Sequence, residues 1–456
     1  MKRLFPLLFI FIFLITSGAG CGGSSAAEEA ANQPVTLTIW RVFDNDETMR
    51  DIMDAYRTMH PNVSFNYREL RYDTYEDELI RAFAEGNGPD IFSIHNTWIG
   101  KYDSLITPMP ETVTIPFTEV KGSIKKETVI TLVESATLSK RQLETTFIDV
   151  VADDVLRWYR PTTKDEPVEK IYGLPLSVDT LVLFYNKDLL DAAGIAQPAT
   201  TWDVFQEDVA KLTLLGANDT ILQSGTALGT GSNVERSFDI FSLLMMQNGT
   251  TMINDRGEAA FAGKGDENNL GLDALSFYTD FANPLKQVYS WNAEQSNSFD
   301  AFVNGQVAYF FGYSYHIPLI WAANSKLDFG ITTVPQISGG RVVNYANYWV
   351  ETVSKDTQYS NWAWDFILFA TDADHVGSYL SKAQRPTALR SLIESQLEDE
   401  WLAPFANQLL TADSWYEGSD AAVAEEAFAN LIDTAVGGGD TLRAIRDAQN
   451  KVNGTL

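Results

Sequence analysis

The sequence predicts an α/β fold on a largely parallel sheet, and three observations carry that prediction. From residue 35 onward, short runs in which apolar residues alternate are separated by runs in which they recur at helical spacing. The two kinds of run follow one another as strand, helix, strand, helix, strand, which favours parallel pairing with helices on both faces of the sheet. The length of 456 residues exceeds the ~250–300 at which a single core stops growing, so two domains are expected.

The first strand is expected over 35–43, with Val35, Leu37 and Ile39 on one face. Trp40 in that strand reads as core, because large aromatics partition inward. Residues 44–46 offer capping side chains to a helix in which Met49, Ile52, Met53, Tyr56 and Met59 recur at helical spacing before Pro61 closes it. Val63, Phe65 and Tyr67 alternate in a second strand, Tyr75, Leu79, Ile80 and Phe83 form a second helical stripe, and residues 90–94 make a short third strand. Sheets of this kind bind ligands in the crevice beyond the carboxyl ends of their strands, where Asp44 and residues 95–98 fall. Asp44 therefore has two readings, helix cap or ligand contact, and both stay open.

Ahead of the first strand, Lys2 and Arg3 precede an apolar run over 4–15 and then Thr16-Ser17-Gly18-Ala19-Gly20-Cys21. That is the layout of an export signal, and its apolar part is too short for a spanning helix, which needs about twenty residues. Small residues before the chain's only cysteine resemble a bacterial lipobox, with Gly18 at the place usually held by an apolar residue. The resemblance implies that Cys21 is lipidated and anchors the exported chain to the membrane; ordinary cleavage with Cys21 a bystander is the alternative. Residues 22–33 are small and polar and read as a flexible tether. With Cys21 set aside no thiol remains, so stability rests on core burial without disulfides. The net charge of −28 argues against nucleic acid or anionic lipid as a partner, since both would be repelled.

More specific signals lie along the rest of the chain. Thr38-Ile39-Trp40 before an acidic turn, Gly86-Asn87-Gly88-Pro89-Asp90-Ile91, Ile171-Tyr172-Gly173-Leu174-Pro175 and Leu183-Phe184-Tyr185-Asn186-Lys187-Asp188-Leu189-Leu190 occur in that order. Residues 198–202, Phe302-Val303-Asn304-Gly305-Gln306-Val307-Ala308, and Phe329-Gly330-Ile331 with Val334-Pro335 continue it. The series resembles the extracellular solute-binding proteins that feed sugars to ABC importers. The resemblance implies a two-lobed periplasmic-binding-protein-like fold of type II, in which hinge strands join two α/β lobes around a ligand cleft. It places the first lobe at 34–177 and 350–391 and the second at 178–349 and 392–456. The segment 104–170 is longer and more charged than the family pattern and receives no role. A carbohydrate ligand, ABC permease subunits as partners, a monomeric state, no cofactor and no catalysis are further implied.

A sugar presents hydroxyls around a ring with weakly apolar faces. Its receptor therefore needs planar side chains for stacking and acids or amides for in-plane hydrogen bonds. By resemblance to maltose-type members, the positions of Asp44, Asn96, Asp179, Tyr313 and Trp415 contribute to the cleft, and Trp98 and Trp349 join them on aromatic grounds. Asp179 would be costly in a buried strand unless it faced the cleft or an ion-pair partner. Tyr313 and Trp349 are as consistent with core packing as with ligand contact.

The glycine-rich run over 225–233 lacks the Gly-Lys-Ser/Thr of a phosphate loop and the third glycine of a dinucleotide turn. It reads as a turn into a helix over 234–246, lending backbone donors and Ser232 to the cleft. Four scattered histidines provide no metal site, and His316 beside Pro318 reads as a packed residue. An exported glycan-active enzyme is the rival reading, since two carboxylates about 5–10 Å apart would serve it. A sensor that signals through the same closed form, and a receptor for a non-sugar solute, are further alternatives.

Overall fold

The computed structural model describes residues 26–121, 127–263 and 269–456, so the export signal and Cys21 lie outside the described residues. Two hydrophobic cores organise the chain. One gathers Leu37, Ile39, Phe92, Ile94, Val350 and Trp364, and the other gathers Phe184, Phe241, Tyr278, Phe302 and Phe428.

Each core is built on its own sheet. In the first lobe the order is Trp349–Val353, Ile91–His95, Val35–Val42, Val63–Leu70. The last three strands run parallel, as their alternation with the helices Asp46–Met59 and Tyr72–Ala84 predicts. Trp349–Val353 is a late-sequence addition that pairs antiparallel to Ile91–His95, with Trp349 opposite His95. The second sheet has the order Leu214–Leu215, Ile221–Thr226, Val307–Gly312, Val182–Asn186, Phe329–Thr333. Val182–Asn186 runs antiparallel to both of its neighbours and is buried at Val182, Leu183 and Phe184, which explains its nearly continuous apolar run.

Between the cores lies a small ladder in which Asn344–Asn347 pairs antiparallel with Asp179–Thr180 and parallel with Ala412–Asp413. The chain changes core at this ladder: Val178 belongs to the first and Leu181 to the second, Tyr345 to the second and Ala346 to the first. Beyond the expected exit at 391/392 the chain serves both cores, with Ile393, Ala406, Leu409 and Ala412 in the first and Phe405 in the second. Apolar periodicity does not say which core a residue joins, and this segment is made of short helical turns, Ile393–Gln396 and Ala403–Ala406, with no long stripe to follow.

Two stretches depart from expectation. The supposed tether contains a helix, Ala26–Asn32, whose alanines favour helix and which packs against a hairpin formed by Thr112–Lys121 and Glu127–Ala136. That hairpin accounts for much of the unassigned 104–170 segment, and Val113 and Ile115 bury its inner face in the first core. The glycine-rich run leads out of Ile221–Thr226 into a helix that begins at Ser237. Gly229 holds φ +109°, and a Cβ there would lie 2.6 Å from Ala282 N, so glycine is required for close packing.

Candidate functional site

A cleft of about 490 Å³ lies between the two cores, beyond the carboxyl ends of Val35–Val42 and Ile91–His95. This is the crevice position expected for the parallel part of the first sheet.

Its floor is ionic. Arg41, buried near the end of the first strand, places Nη2 3.0 Å from Asp44 Oδ2 and Nε 3.1 Å from Glu351 Oε1. Burial works against the guanidinium's charge, but Glu351, Tyr379 and Asp44 more than offset it and hold its pKa above the ordinary value. Tyr379 donates to Asp44 Oδ2 at 2.9 Å, and Ser93 donates to Glu351 Oε2 at 2.8 Å. The capping reading of Asp44 is ruled out by geometry. Asn45 caps the helix, accepting from the N–H groups of Glu47 and Thr48, while the Asp44 carboxylate turns to Arg41 and Tyr379.

In the small ladder, Asp179 Oδ2 accepts from Ser314 N at 2.9 Å and from Ser314 Oγ at 2.6 Å, and its Oδ1 accepts from Thr180 N at 2.9 Å. Burial pushes its carboxyl up to about 6, against the opposing pull of Arg385 and the Ser314 and Thr180 hydrogen bonds. Arg385 stands between the two acids.

The second-lobe wall is set by Glu235 and Arg236, which follow the glycine-rich run. Arg236 sits at φ +60°, a left-handed conformation costing about 1 kcal/mol or more in a non-glycine residue. Its Nε donates to Asp239 Oδ2 at 2.7 Å, and Tyr313 donates to the same oxygen at 2.6 Å. Beneath it, His316 accepts from Tyr313 N through Nδ1 at 2.9 Å, so its proton lies on Nε2, 3.1 Å from Glu235 Oε2. Desolvation lowers the His316 pKa and keeps the ring neutral.

The first-lobe wall is aromatic. Trp349 meets Trp98, His95 and Phe43 edge-on, with centroids 5.4, 5.7 and 5.9 Å away. Phe43 in turn stacks on Tyr72 at 5.6 Å. Phe43 is 54 % exposed and is held at φ +70°, so the backbone carries strain where it presents an apolar ring to solvent.

Of the residues singled out from sequence, Asp44, Trp98, Asp179 and Trp349 converge on this cleft. Asn96, Tyr313 and Trp415 stand outside its lining. Asn96 is buried and donates to Asp154 Oδ2 at 3.0 Å, Tyr313 is fully buried beneath Arg236, and Trp415 donates to Ser242 Oγ at 3.0 Å and stacks on Phe428. Ser232 is likewise absent from the lining, which takes Glu235 and Arg236 instead. Sequence reasoning missed all three cleft arginines. Arg41 had a readable signal, a charged residue inside an apolar strand, whereas Arg236 and Arg385 had none. Among the described residues, no three His, Cys, Asp or Glu side chains form a group fit to hold a metal, and no helix is long and apolar enough to cross a membrane.

Comparison with known proteins bears on this arrangement. Residues 51–404 match a family described as bacterial extracellular solute-binding protein. A binding protein of Brucella abortus is 23 % identical over 228 residues, and the chain spans only 44 % of that relative's length. A galactooligosaccharide-binding protein of Bacillus subtilis is 20 % identical over 379 residues, covering 82 % of this chain and 78 % of that one. Among solved structures, a cyclic alpha-maltosyl-1,6-maltose binding protein from Arthrobacter globiformis superposes with a TM-score of 0.71 at 19 % identity, covering 92 % of this chain and 98 % of the other.

Proposed function

This chain belongs to the family of bacterial extracellular solute-binding proteins, and we propose that its solute is a carbohydrate, captured between the lobes and delivered to an ABC importer. The observation that carries the reading is the pairing of an aromatic wall, Trp98, Trp349, Phe43 and Tyr72, with a floor of fixed charges at Asp44, Arg385 and Asp179. Rings stack on the C–H faces of a pyranose, while the floor exchanges hydrogen bonds with its hydroxyls. The sugar-binding relatives support the same class. A cleft of about 490 Å³ has the capacity of a drug-sized ligand, which suits a short oligosaccharide.

In this reading Asp44, Trp98, Asp179 and Trp349 touch the ligand. Tyr313 acts behind them by fixing Arg236 through Asp239, Asn96 acts by orienting Asp154, and Trp415 supports the second core. The mechanism is binding: ligand contacts to both lobes favour the closed form, with the ladder of 179–180, 344–347 and 412–413 as hinge, and no bond is made or broken. The first lobe comprises the chain up to the first hinge strand and the part from 346 to about 412 that shares its core. Export by the N-terminal signal, a lipid on Cys21 and a monomer docking on permease subunits complete the proposal.

A thermal-shift screen of residues 22–456 against mono- and oligosaccharides, polyols and amino acids tests it, with each hit sampled for product over hours. A ligand at a hundred times its dissociation constant adds about 2.7 kcal/mol to the folded state. A stabilising sugar recovered intact supports the receptor; turnover of that sugar replaces it with an enzyme.

A further inference from the structure

We propose that Arg385 is the specificity-determining residue of the cleft floor, where it reads two neighbouring hydroxyls of the bound sugar with Asp44 on one side and Asp179 on the other. The inference rests on the carbohydrate reading above. Arg385 follows the helix Ala373–Ala383, which Gln384 ends in a left-handed conformation at φ +50°. Its backbone is pinned from behind: Gln396 Nε2 donates to Arg385 O at 3.0 Å, and Thr387 N donates to Gln396 Oε1 at 2.8 Å. The side chain is 17 % exposed, lines the cleft, and makes one hydrogen bond among the described residues, from Nη1 to Ser314 Oγ at 3.2 Å.

A carboxylate flanks the guanidinium on each side, Asp44 Oδ1 at 3.9 Å from Nη2 and Asp179 Oδ2 at 3.9 Å from Nη1. Both separations are too long for hydrogen bonds. The acids attract the guanidinium without engaging its N–H groups, so most of its donors remain for a ligand. The floor is thus a row of acceptor, donor and acceptor. A hydroxyl both donates and accepts, and two adjacent hydroxyls laid along the row satisfy it, each accepting from Arg385 and donating to the nearer acid. Asp44 follows a strand of the first sheet and Asp179 lies in the hinge ladder, so the same pair of hydroxyls spans the junction of the lobes.

The test is calorimetric titration of the mature chain with maltotriose, mannobiose and galactobiose, followed by the monodeoxy forms of whichever binds. The Arg385→Lys variant keeps the charge but cannot reach both sides, and its affinity is expected to fall between about ten- and a hundredfold. In wild type, two adjacent deoxy positions are expected to weaken binding most, and in Arg385→Lys the same two deletions add little further loss, the coupling expected of a direct contact. Ser314→Ala, which removes the hydroxyl that joins Arg385 Nη1 to Asp179 Oδ2 while leaving both side chains in place, supplies a milder second variant and is expected to weaken binding at the same two positions. If both variants lose affinity evenly over intact and deoxy sugars, Arg385 is only a brace between lobes; the proposal falls and the carbohydrate reading stands. If wild type binds none of these sugars and no other saccharide of the thermal-shift screen, the carbohydrate reading fails and takes the proposal with it.

Discussion

Asp179 illustrates how the site uses single residues. Its carboxyl titrates near 6 in the folded chain, against about 3.9 in an unfolded one, because burial opposes the charge that Ser314, Thr180 and Arg385 only partly restore. The folded state therefore holds the proton more tightly, and this group's contribution makes stability fall as pH rises from about 4 to about 6 and stay level above. Asp179→Asn removes that slope. Urea unfolding at intervals across this window should show wild type losing up to ~3 kcal/mol relative to the variant, and parallel curves would contradict the assignment. Tyr313 makes a different case, a residue outside the cleft lining that holds Asp239 beneath Arg236. Tyr313→Phe removes one hydrogen bond to Asp239 and leaves the ring in place, so sugar affinity should fall about fivefold with stability changed by ~1 kcal/mol, read by calorimetry and by unfolding.

At the scale of elements, position in the sheet separates aromatics that line the cleft from those that fill a core. Trp349 begins an edge strand at the crevice, whereas Trp415 is sandwiched among Phe238, Phe261 and Phe428. Trp415→Ala should therefore cost about 3–5 kcal/mol in denaturant unfolding, while Trp349→Ala costs less and weakens sugar binding by about tenfold or more. The reverse ranking would exchange their roles. The strand and helix stripes of residues 35–95 were legible because local periodicity dictates them, and so was the crevice that they define. The hairpin was legible in principle, since Thr112-Val113-Thr114-Ile115 alternates, but charges and Pro116 masked the pattern. The ion cluster at Arg41 was not. Its partners Glu351 and Tyr379 lie more than three hundred residues away, and no periodicity links them.

For the whole molecule, each of the two cores has its own sheet, and a ladder of short strands lies where the chain passes from one to the other, the place at which the proposed closure would hinge. Because the cleft lining draws on both cores, the proposed capture has a ligand gain its full set of contacts only when the lobes close, which would make binding and closure one equilibrium. Small-angle X-ray scattering of the mature chain, alone and saturated with the sugar that stabilises it most, measures that equilibrium directly. The predicted result is a smaller radius of gyration on saturation, with the sugar recovered unchanged. An unchanged radius at full occupancy would contradict capture between the lobes.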